Sequence, residues 1–344
     1  MTNPTAAQLS PELQTDISLA ELSTLKVGGI GQWLVKVQNL EQLSQSYDWA
    51  KSRSVPILYL GDGSNILFSD KGFPGLLIQN RFKGRNRSEN EVEIGSAENL
   101  EEVITWLNHL GLQGMERMFG IPGTIGGALV GNAGAYGQEI GDKVIDISVF
   151  IDGEVRVLPK SAFHFLYRNS SFKQHPDWFI LKCKLRLNKS SEDLQQISDD
   201  ILSKRLVKYP TSLRCPGSFF KNVVLDELSQ ETTDQIPDNF VMFGKIPAGK
   251  LLEAVGANGI RKGEAQFADY HGNLMINLGQ ASSQDILKLK SGKVYEGLYF
   301  GELDGKIIFK IKGESESKTF NSEEVLSVNK NQGSVNIKEK PRFE

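Results

Sequence analysis

Apolar positions along the chain change period several times, and each change marks an element. Residues 33–37 are β-branched and aromatic, Leu40, Leu43, Tyr47 and Ala50 then recur at helical spacing, and residues 55–60 (VPILYL) form a short apolar run. This strand, helix, strand order predicts an α/β unit with a crossover. Residues 66–70 (ILFSD), 75–80 (GLLIQN) and 91–96 (EVEIGS) predict three further strands, with a basic loop, RFKGRNR, before the last of them. Leu100, Val103, Ile104 and Leu107 lie on one face of a helix that Gly111 stops. Residues 143–158 read as a hairpin around Asp152 and Gly153, and residues 178–188 as an alternating strand. A long polar helix over about residues 191–208 follows, and the shift in composition puts a domain boundary near Ser190. Beyond it, residues 250–277 predict a helix, a glycine turn and an apolar strand ending at Asn277. The helix starting at Ala281 is interrupted by Ser291 and Gly292, and residues 290–328 alternate like a small antiparallel sheet with turns at 301–305 and Gly313. Residues 1–20 are a loosely held polar arm, and residues 329–344 a charged, mobile tail.

With 344 residues, the chain has room for two or three domains around a cleft. Its formal net charge of -3 gives no field for nucleic acid, so an anionic ligand must be held by local groups. Two cysteines, Cys183 and Cys215, are too few for a disulfide framework and read as reduced thiols. The N-terminal segment has neither a basic n-region nor an apolar h-region, so a cytoplasmic protein without membrane association is expected. No metal site is expected.

The candidate chemistry gathers in the glycine-dense, almost uncharged residues 120–136, GIPGTIGGALVGNAGAY. Its glycines let backbone N–H groups turn to one side without Cβ atoms in the way, as a diphosphate or a flat ring requires. Gly61, Asp62, Gly63, Ser64 and Asn65 directly follow a strand and read either as a tight turn or as a phosphate cradle. Ile66 stands where the dinucleotide fingerprint needs glycine, which excludes the nicotinamide-type fold. Residues 244–250 imitate a P-loop, but Leu251 replaces the magnesium-binding hydroxyl. In RCPGSFFKNV, Pro216 and Gly217 form a turn presenting Ser218; an ordinary surface turn with two core aromatics fits equally. FLYRNSSFK carries more polar chemistry than a connector needs.

Taken in order, STLKVGG, LGDGSNILFSDKGFPGLLI, GIPGTIGGALVGNAGAYG, YRNSSFK, KYPTSLRCPGSFFKN and AGKLLEAVGANGIRKGEAQFADYHGNLMIN resemble the UDP-N-acetylenolpyruvoylglucosamine reductases, over about residues 23–289. The short link after YRNSSFK resembles the compact class of that family. The resemblance implies an α+β protein: a two-subdomain FAD-binding fold of the vanillyl-alcohol-oxidase/PCMH type (about residues 21–82 and 83–189) and an α/β substrate-binding domain (190–289). A small C-terminal β module follows. It implies non-covalent FAD, NADPH as co-substrate and UDP-N-acetylglucosamine enolpyruvate as substrate. FAD would be wrapped by Gly61, Asp62, Gly63, Ser64 and Asn65 with Gly123, Thr124, Ile125, Gly126, Gly127 and Asn132. Arg168 would polarise the substrate carboxylate and Ser218 would give the proton, with Tyr167, Lys208, Lys221 and Asn222 as substrate contacts. A related oxidase would tether FAD through histidine or cysteine, and the glycine loops contain neither.

The C-terminus departs from the family. Its members carry a catalytic glutamate in a phenylalanine-glycine segment near the end, whereas here Phe300 and Gly301 lead to Glu302, Leu303, Asp304, Gly305 and Lys306 without a counterpart. The alternative is therefore a flavin- and UDP-sugar-binding protein with reduced or no turnover.

Overall fold

A computed structural model describes residues 12–210, 212–234 and 236–286, and, by backbone alone, five strands between Tyr295 and Ile337. The chain divides into two compact units between Ser212 and Leu213.

The first unit begins with a four-stranded sheet. Its strands are β1 (Gln14–Ser18), β2 (Ile30–Val37), β3 (Ile57–Leu60) and β4 (Phe73–Asn80), in the order β1-β2-β4-β3. β2 and β3 both run parallel to β4, because helix α1 (Leu40–Ser52) carries the chain over between them. Asn39 caps α1 by accepting the Gln42 N–H, and Leu43 and Ala50 are buried on its inner face. Two expectations fail here. The polar segment QTDIS, expected in a loose arm, is the antiparallel edge strand β1, recruited by pairing with β2 (Thr15 with Trp33, Ile17 with Gly31). An exposed edge strand needs no apolar alternation, so its sequence carried no strand signal. Residues 66–70 are irregular instead of a strand: Phe68 leaves the loop to join Leu19, Leu34, Leu60 and Leu77 in a core cluster.

A second, antiparallel sheet consists of β5 (Arg85–Ser88), β6 (Glu91–Gly95), β7 (Val144–Ile151), β8 (Glu154–Pro159) and β9 (Phe179–Arg186), ordered β8-β7-β9-β6-β5. β5 lies in the expected basic loop, where pairing with β6 outweighs its polarity. The β7–β8 hairpin turns at Asp152 and Gly153, whose φ values of 51° and 86° suit a two-residue connection. Helices α2 (Leu100–His109) and α3 (Ile125–Gly131) cover this sheet, burying Val103, Ile104, Leu107, Ile125 and Leu129 against Ile147, Val149 and Cys183. A separate cluster joins the two sheets, with Val35, Leu43, Leu76 and Ile78 packed against Phe150, Phe179 and Leu181.

Helix α4 (Leu194–Leu206) closes the first unit, which moves the expected boundary at Ser190 to residue 212. Long-range contacts decide this. Ser198 is fully buried, donating to the Glu116 carbonyl at 3.0 Å and accepting from Asn108 of α2 at 2.9 Å.

The second unit contains helix α5 (Ala248–Ala254) and an antiparallel sheet of β10 (Arg261–Lys262), β11 (Ala265–Ala268) and β12 (His271–Asn277), in that order. A five-stranded antiparallel sheet follows: β13 (Tyr295–Leu303), β14 (Lys306–Ile311), β15 (Ser317–Asn321), β16 (Val325–Asn329) and β17 (Ser334–Ile337), ordered β15-β14-β13-β17-β16. β17 pairs with both β16 and β13, so the β module runs into the segment expected as a mobile tail. The expected helix break at Ser291 and Gly292 and the turn at Gly313 lie outside the described residues. No helix among the described residues is long and apolar enough to cross a membrane.

Candidate active site

The first unit brings the two glycine loops together, although about 60 residues separate them in sequence. Ser64 Oγ donates to the Pro122 carbonyl at 3.2 Å. A Cβ on Gly123 would lie 2.5 Å from Ser64 Oγ, and one on Gly61 3.0 Å from Thr124 Oγ1. Gly63 and Gly123 have φ of 68° and 114°, where a side chain adds strain. Thr124 caps α3, accepting the Gly127 N–H at 3.2 Å, and Ile125 follows as the buried first residue of the helix. Asp62 pairs with Arg81 at 2.9 Å, and Asn65 is exposed.

A buried polar layer holds the cradle in place. The Ile125 N–H donates to the Glu98 carbonyl and the Gly126 N–H to the Ser96 carbonyl, while a Cβ on Gly126 would meet Ser96 at 3.1 Å. Ser96 Oγ donates to the Ile180 carbonyl and accepts from Asn80 Nδ2 at 2.7 Å, tying β4 of the first sheet to β6 and β9 of the second. Burial alone would raise the Glu98 carboxyl, but the Gly84 N–H and the Arg85 guanidinium, 2.6 Å away, hold it below the ordinary glutamate value. A carboxyl lowered on folding stabilises the protein above its unfolded pKa, and the contribution is lost as pH falls through the folded value. Glu98→Gln is therefore expected to cost about 2 kcal/mol at neutral pH. The gap from wild type should narrow below about pH 4 in urea titrations.

Asn132 is held by protein partners at the end of the glycine stretch. It is buried at the left-handed end of α3 (φ 42°), and its Nδ2 donates to Glu139 at 2.7 Å and to the Leu166 carbonyl at 2.9 Å. Its Oδ1 accepts the Gly141 N–H. Both amide hydrogens thus go to protein acceptors, and the residue fastens the glycine stretch to the turn carrying Tyr167 and Arg168. That turn is closed by reciprocal backbone hydrogen bonds between Leu166 and Asn169. Arg168 sits there at φ 53°, and its Nη2 donates to the carbonyl of Gly134, inside the glycine stretch. Its guanidinium carbon is 5.1 Å from the Tyr167 ring centroid, and Lys173 Nζ holds its carbonyl at 2.7 Å.

Arg205, which the sequence reading passed over, is the other cation of this region. It packs beside Gly120, over the Tyr209 ring at 5.2 Å, and its buried Nε has no hydrogen-bond partner among the described residues. Burial lowers its pKa from the usual arginine range. Leu194, Ser198 and Ile201 define the buried face of α4, and Arg205 continues that spacing, so a cation on an apolar stripe was the available signal. Lys208 is exposed just past the helix, without an ion pair among the described residues.

In the second unit, Gly217 (φ 89°) turns the chain into Ser218, which is exposed and bridges Leu274 of β12. Burial pushes the neighbouring Cys215 thiol up to about 11, so it is neutral, and its sulfur accepts the Gly217 N–H. Lys221 is exposed, whereas Asn222 Oδ1 is already engaged by the Ala248 N–H at the start of α5.

The two glycine loops lie too close together for side chains, since Cβ atoms at Gly61, Gly63 and Gly123 would press on Thr124, Leu22 and Ser64; a wall free of Cβ atoms suits FAD, and beside it the Arg205 Nε is a buried donor without an acceptor among the described residues. Residues 32–157 match the FAD binding domain family, and residues 209–294 the C-terminal domain of UDP-N-acetylenolpyruvoylglucosamine reductase. Fold and family match together define a flavin-dependent oxidoreductase. A UDP-N-acetylenolpyruvoylglucosamine reductase of Solibacter usitatus is 37% identical over 69% of this chain and 76% of its own. One from Acaryochloris marina is 35% identical over 81% and 85%. The crystal structure of the reductase from Thermus caldophilus superposes with a TM-score of 0.64 at 27% identity, covering 81% of this chain and 92% of that one. The chain belongs to the UDP-N-acetylenolpyruvoylglucosamine reductase family.

Proposed function

We propose that the protein reduces UDP-N-acetylglucosamine enolpyruvate to UDP-N-acetylmuramate with NADPH, a cytoplasmic step of peptidoglycan synthesis. The observation that carries this reading is Arg168, fixed against the glycine cradle by its bond to the Gly134 carbonyl. When bound, FAD supplies the two-electron relay between NADPH and the enolpyruvyl double bond. Gly61, Gly63 and Gly123 let the two loops pack together without side chains, and the loops would hold its diphosphate through local groups instead of a net positive field. Arg205 adds a positive charge beside Gly120 at the start of the glycine stretch.

Arg168 meets the enolpyruvyl carboxylate with its remaining guanidinium donors and stabilises charge that spreads onto it during reduction. Its planar fork and its anchor to Gly134 orient that carboxylate, which the point charge of lysine would not do. Ser218 gives its hydroxyl proton to the carbon bearing the carboxylate, and the serine oxygen recovers a proton from solvent. Lys208 and Lys221 neutralise the UDP phosphates, Tyr167 lines the sugar, and Asn222 retains its Nδ2 as a donor. Of the acidic residues that follow Phe300 and Gly301, Glu302 lies among residues described by backbone alone and Asp304 outside the described residues. The relatives, named as reductases over most of their length, favour turnover over the binding-only alternative.

Arg168→Lys tests the reading. Anaerobic stopped-flow should show wild-type flavin reduced by NADPH and reoxidised by the enolpyruvyl sugar. The variant should reoxidise about 10² to 10³-fold more slowly, with its reduction by NADPH much less affected. Equal reoxidation by wild type and variant would exclude Arg168 from the chemistry.

A further inference from the structure

We propose that Asn273 is the positioning residue that aims Ser218, an inference resting on the reductase reading above. Ser218 lies on a segment with no extended strand or helix of its own. It follows the left-handed Gly217, and its neighbours Phe219 and Phe220 are only half-buried. The segment is held as a short antiparallel addition to the free edge of β12. The Asn277 N–H donates to the Arg214 carbonyl at 3.0 Å, Ser218 bridges Leu274, and the Phe219 N–H donates to the Asn273 carbonyl at 3.0 Å.

The Asn273 side chain extends it by one residue. Its Oδ1 accepts the Phe220 N–H at 2.8 Å, and its Nδ2 donates to the Phe220 carbonyl at 2.9 Å. Asn273 is 2% exposed, so both bonds form away from solvent, where they are strongest and where losing either partner leaves a polar group unpaired. A carboxamide presents a donor and an acceptor on one planar group, which is the complement of a residue's own N–H and C=O. Aspartate of the same length keeps the acceptor but sets a second oxygen against the Phe220 carbonyl. Stacking of Phe220 on Phe267 of β11, with ring centroids 6.5 Å apart, secures the far side of the same residue.

Ser218 therefore sits between two fixed points: the Gly217 turn on one side and the Asn273 clamp two residues beyond. Ser218 is exposed, while its backbone is not free to drift. A proton donor as weak as a serine hydroxyl depends on placement, and a displacement of about 1 Å costs on the order of a hundredfold in rate.

Asn273→Ala in the holoenzyme is expected to slow reoxidation of the flavin by the enolpyruvyl sugar about tenfold to a hundredfold. It should raise the solvent deuterium isotope effect on that step and leave reduction by NADPH within about twofold. Combined with Ser218→Ala it should slow reoxidation no further, because residues acting through one group are not additive. Hydrogen–deuterium exchange of the peptide containing Phe219 and Phe220 should rise in the variant, a readout independent of turnover. Should Asn273→Ala fail to fold, Asn273→Ser, small, uncharged and still polar, supplies the same comparison. The proposal is overturned if Asn273→Ala slows both half-reactions alike, or lowers the Ser218→Ala rate by its full single-variant factor. It is also overturned if exchange at Phe219 and Phe220 is unchanged. A wild type that reduces with NADPH but never reoxidises with the sugar brings down the reductase reading and this proposal with it; normal wild-type reoxidation with a neutral Asn273→Ala brings down the proposal alone.

Discussion

Ser218→Ala is expected to lower the rate at which the enolpyruvyl sugar reoxidises the flavin by about 10² to 10⁴, the usual worth of a positioned general acid. The methyl side chain occupies the same exposed site after Gly217 and leaves the backbone bridge to Leu274 and the Phe219 and Phe220 hydrogen bonds in place. Thermal unfolding should match wild type, and reduction by NADPH, which needs no proton at the substrate carbon, should persist. Rapid-mixing traces of the two half-reactions check this. A variant that reoxidises at the wild-type rate would move proton delivery to another group, with the acidic side chains of the C-terminal module next in line.

Gly63→Ala acts on the cofactor instead. Gly63 combines φ 68° with a backbone contact so close that a Cβ would overlap the Leu22 carbonyl oxygen, a main-chain atom that cannot swing aside as a side chain can. The conformational penalty and the forced displacement together cost about 3 kcal/mol. Because the Gly63 carbonyl also accepts the Thr24 N–H, the shift passes into residues 61–65 and opens the contact between Ser64 and Pro122. The expected result is protein purified largely without flavin and melting well below wild type. Gly131→Ala is the control: its φ is helical and nothing lies within 4 Å of the added Cβ. Wild-type flavin content in Gly63→Ala would contradict the cradle as described.

The sequence disclosed whatever depends on local spacing. Helices α1 and α2 follow from apolar residues three and four apart, and the β7–β8 hairpin from Asp152 and Gly153. The glycine loops were legible as a ligand cradle because few other functions require so many positions without Cβ atoms. What stayed hidden depends on partners distant in sequence. β1 is polar and becomes a strand only through β2, and α4 belongs to the first unit through Ser198, Asn108 and Glu116. Phe68 looked like part of a strand because a buried aromatic on a loop has the same composition. Asn132 stands out in the sequence as a polar residue among small ones, but its hydrogen bonds to Glu139, Gly141 and Leu166 are not legible there. Asn273 gives no signal at all, since a clamp onto Phe220 is visible only once β12 and residues 218–220 lie side by side.

The central claim is that this chain reduces an enolpyruvyl double bond, placing a proton on the carbon that bears the carboxylate. Incubating the holoenzyme anaerobically with NADPH and UDP-N-acetylglucosamine enolpyruvate in deuterium oxide, and reading the product by mass spectrometry and proton NMR, tests it most directly. The account predicts NADPH oxidation that requires the sugar and a lactyl ether product carrying solvent deuterium at the carboxylate-bearing carbon. NADPH oxidation no faster with the sugar than without it, and a sugar recovered with its double bond intact, would contradict it.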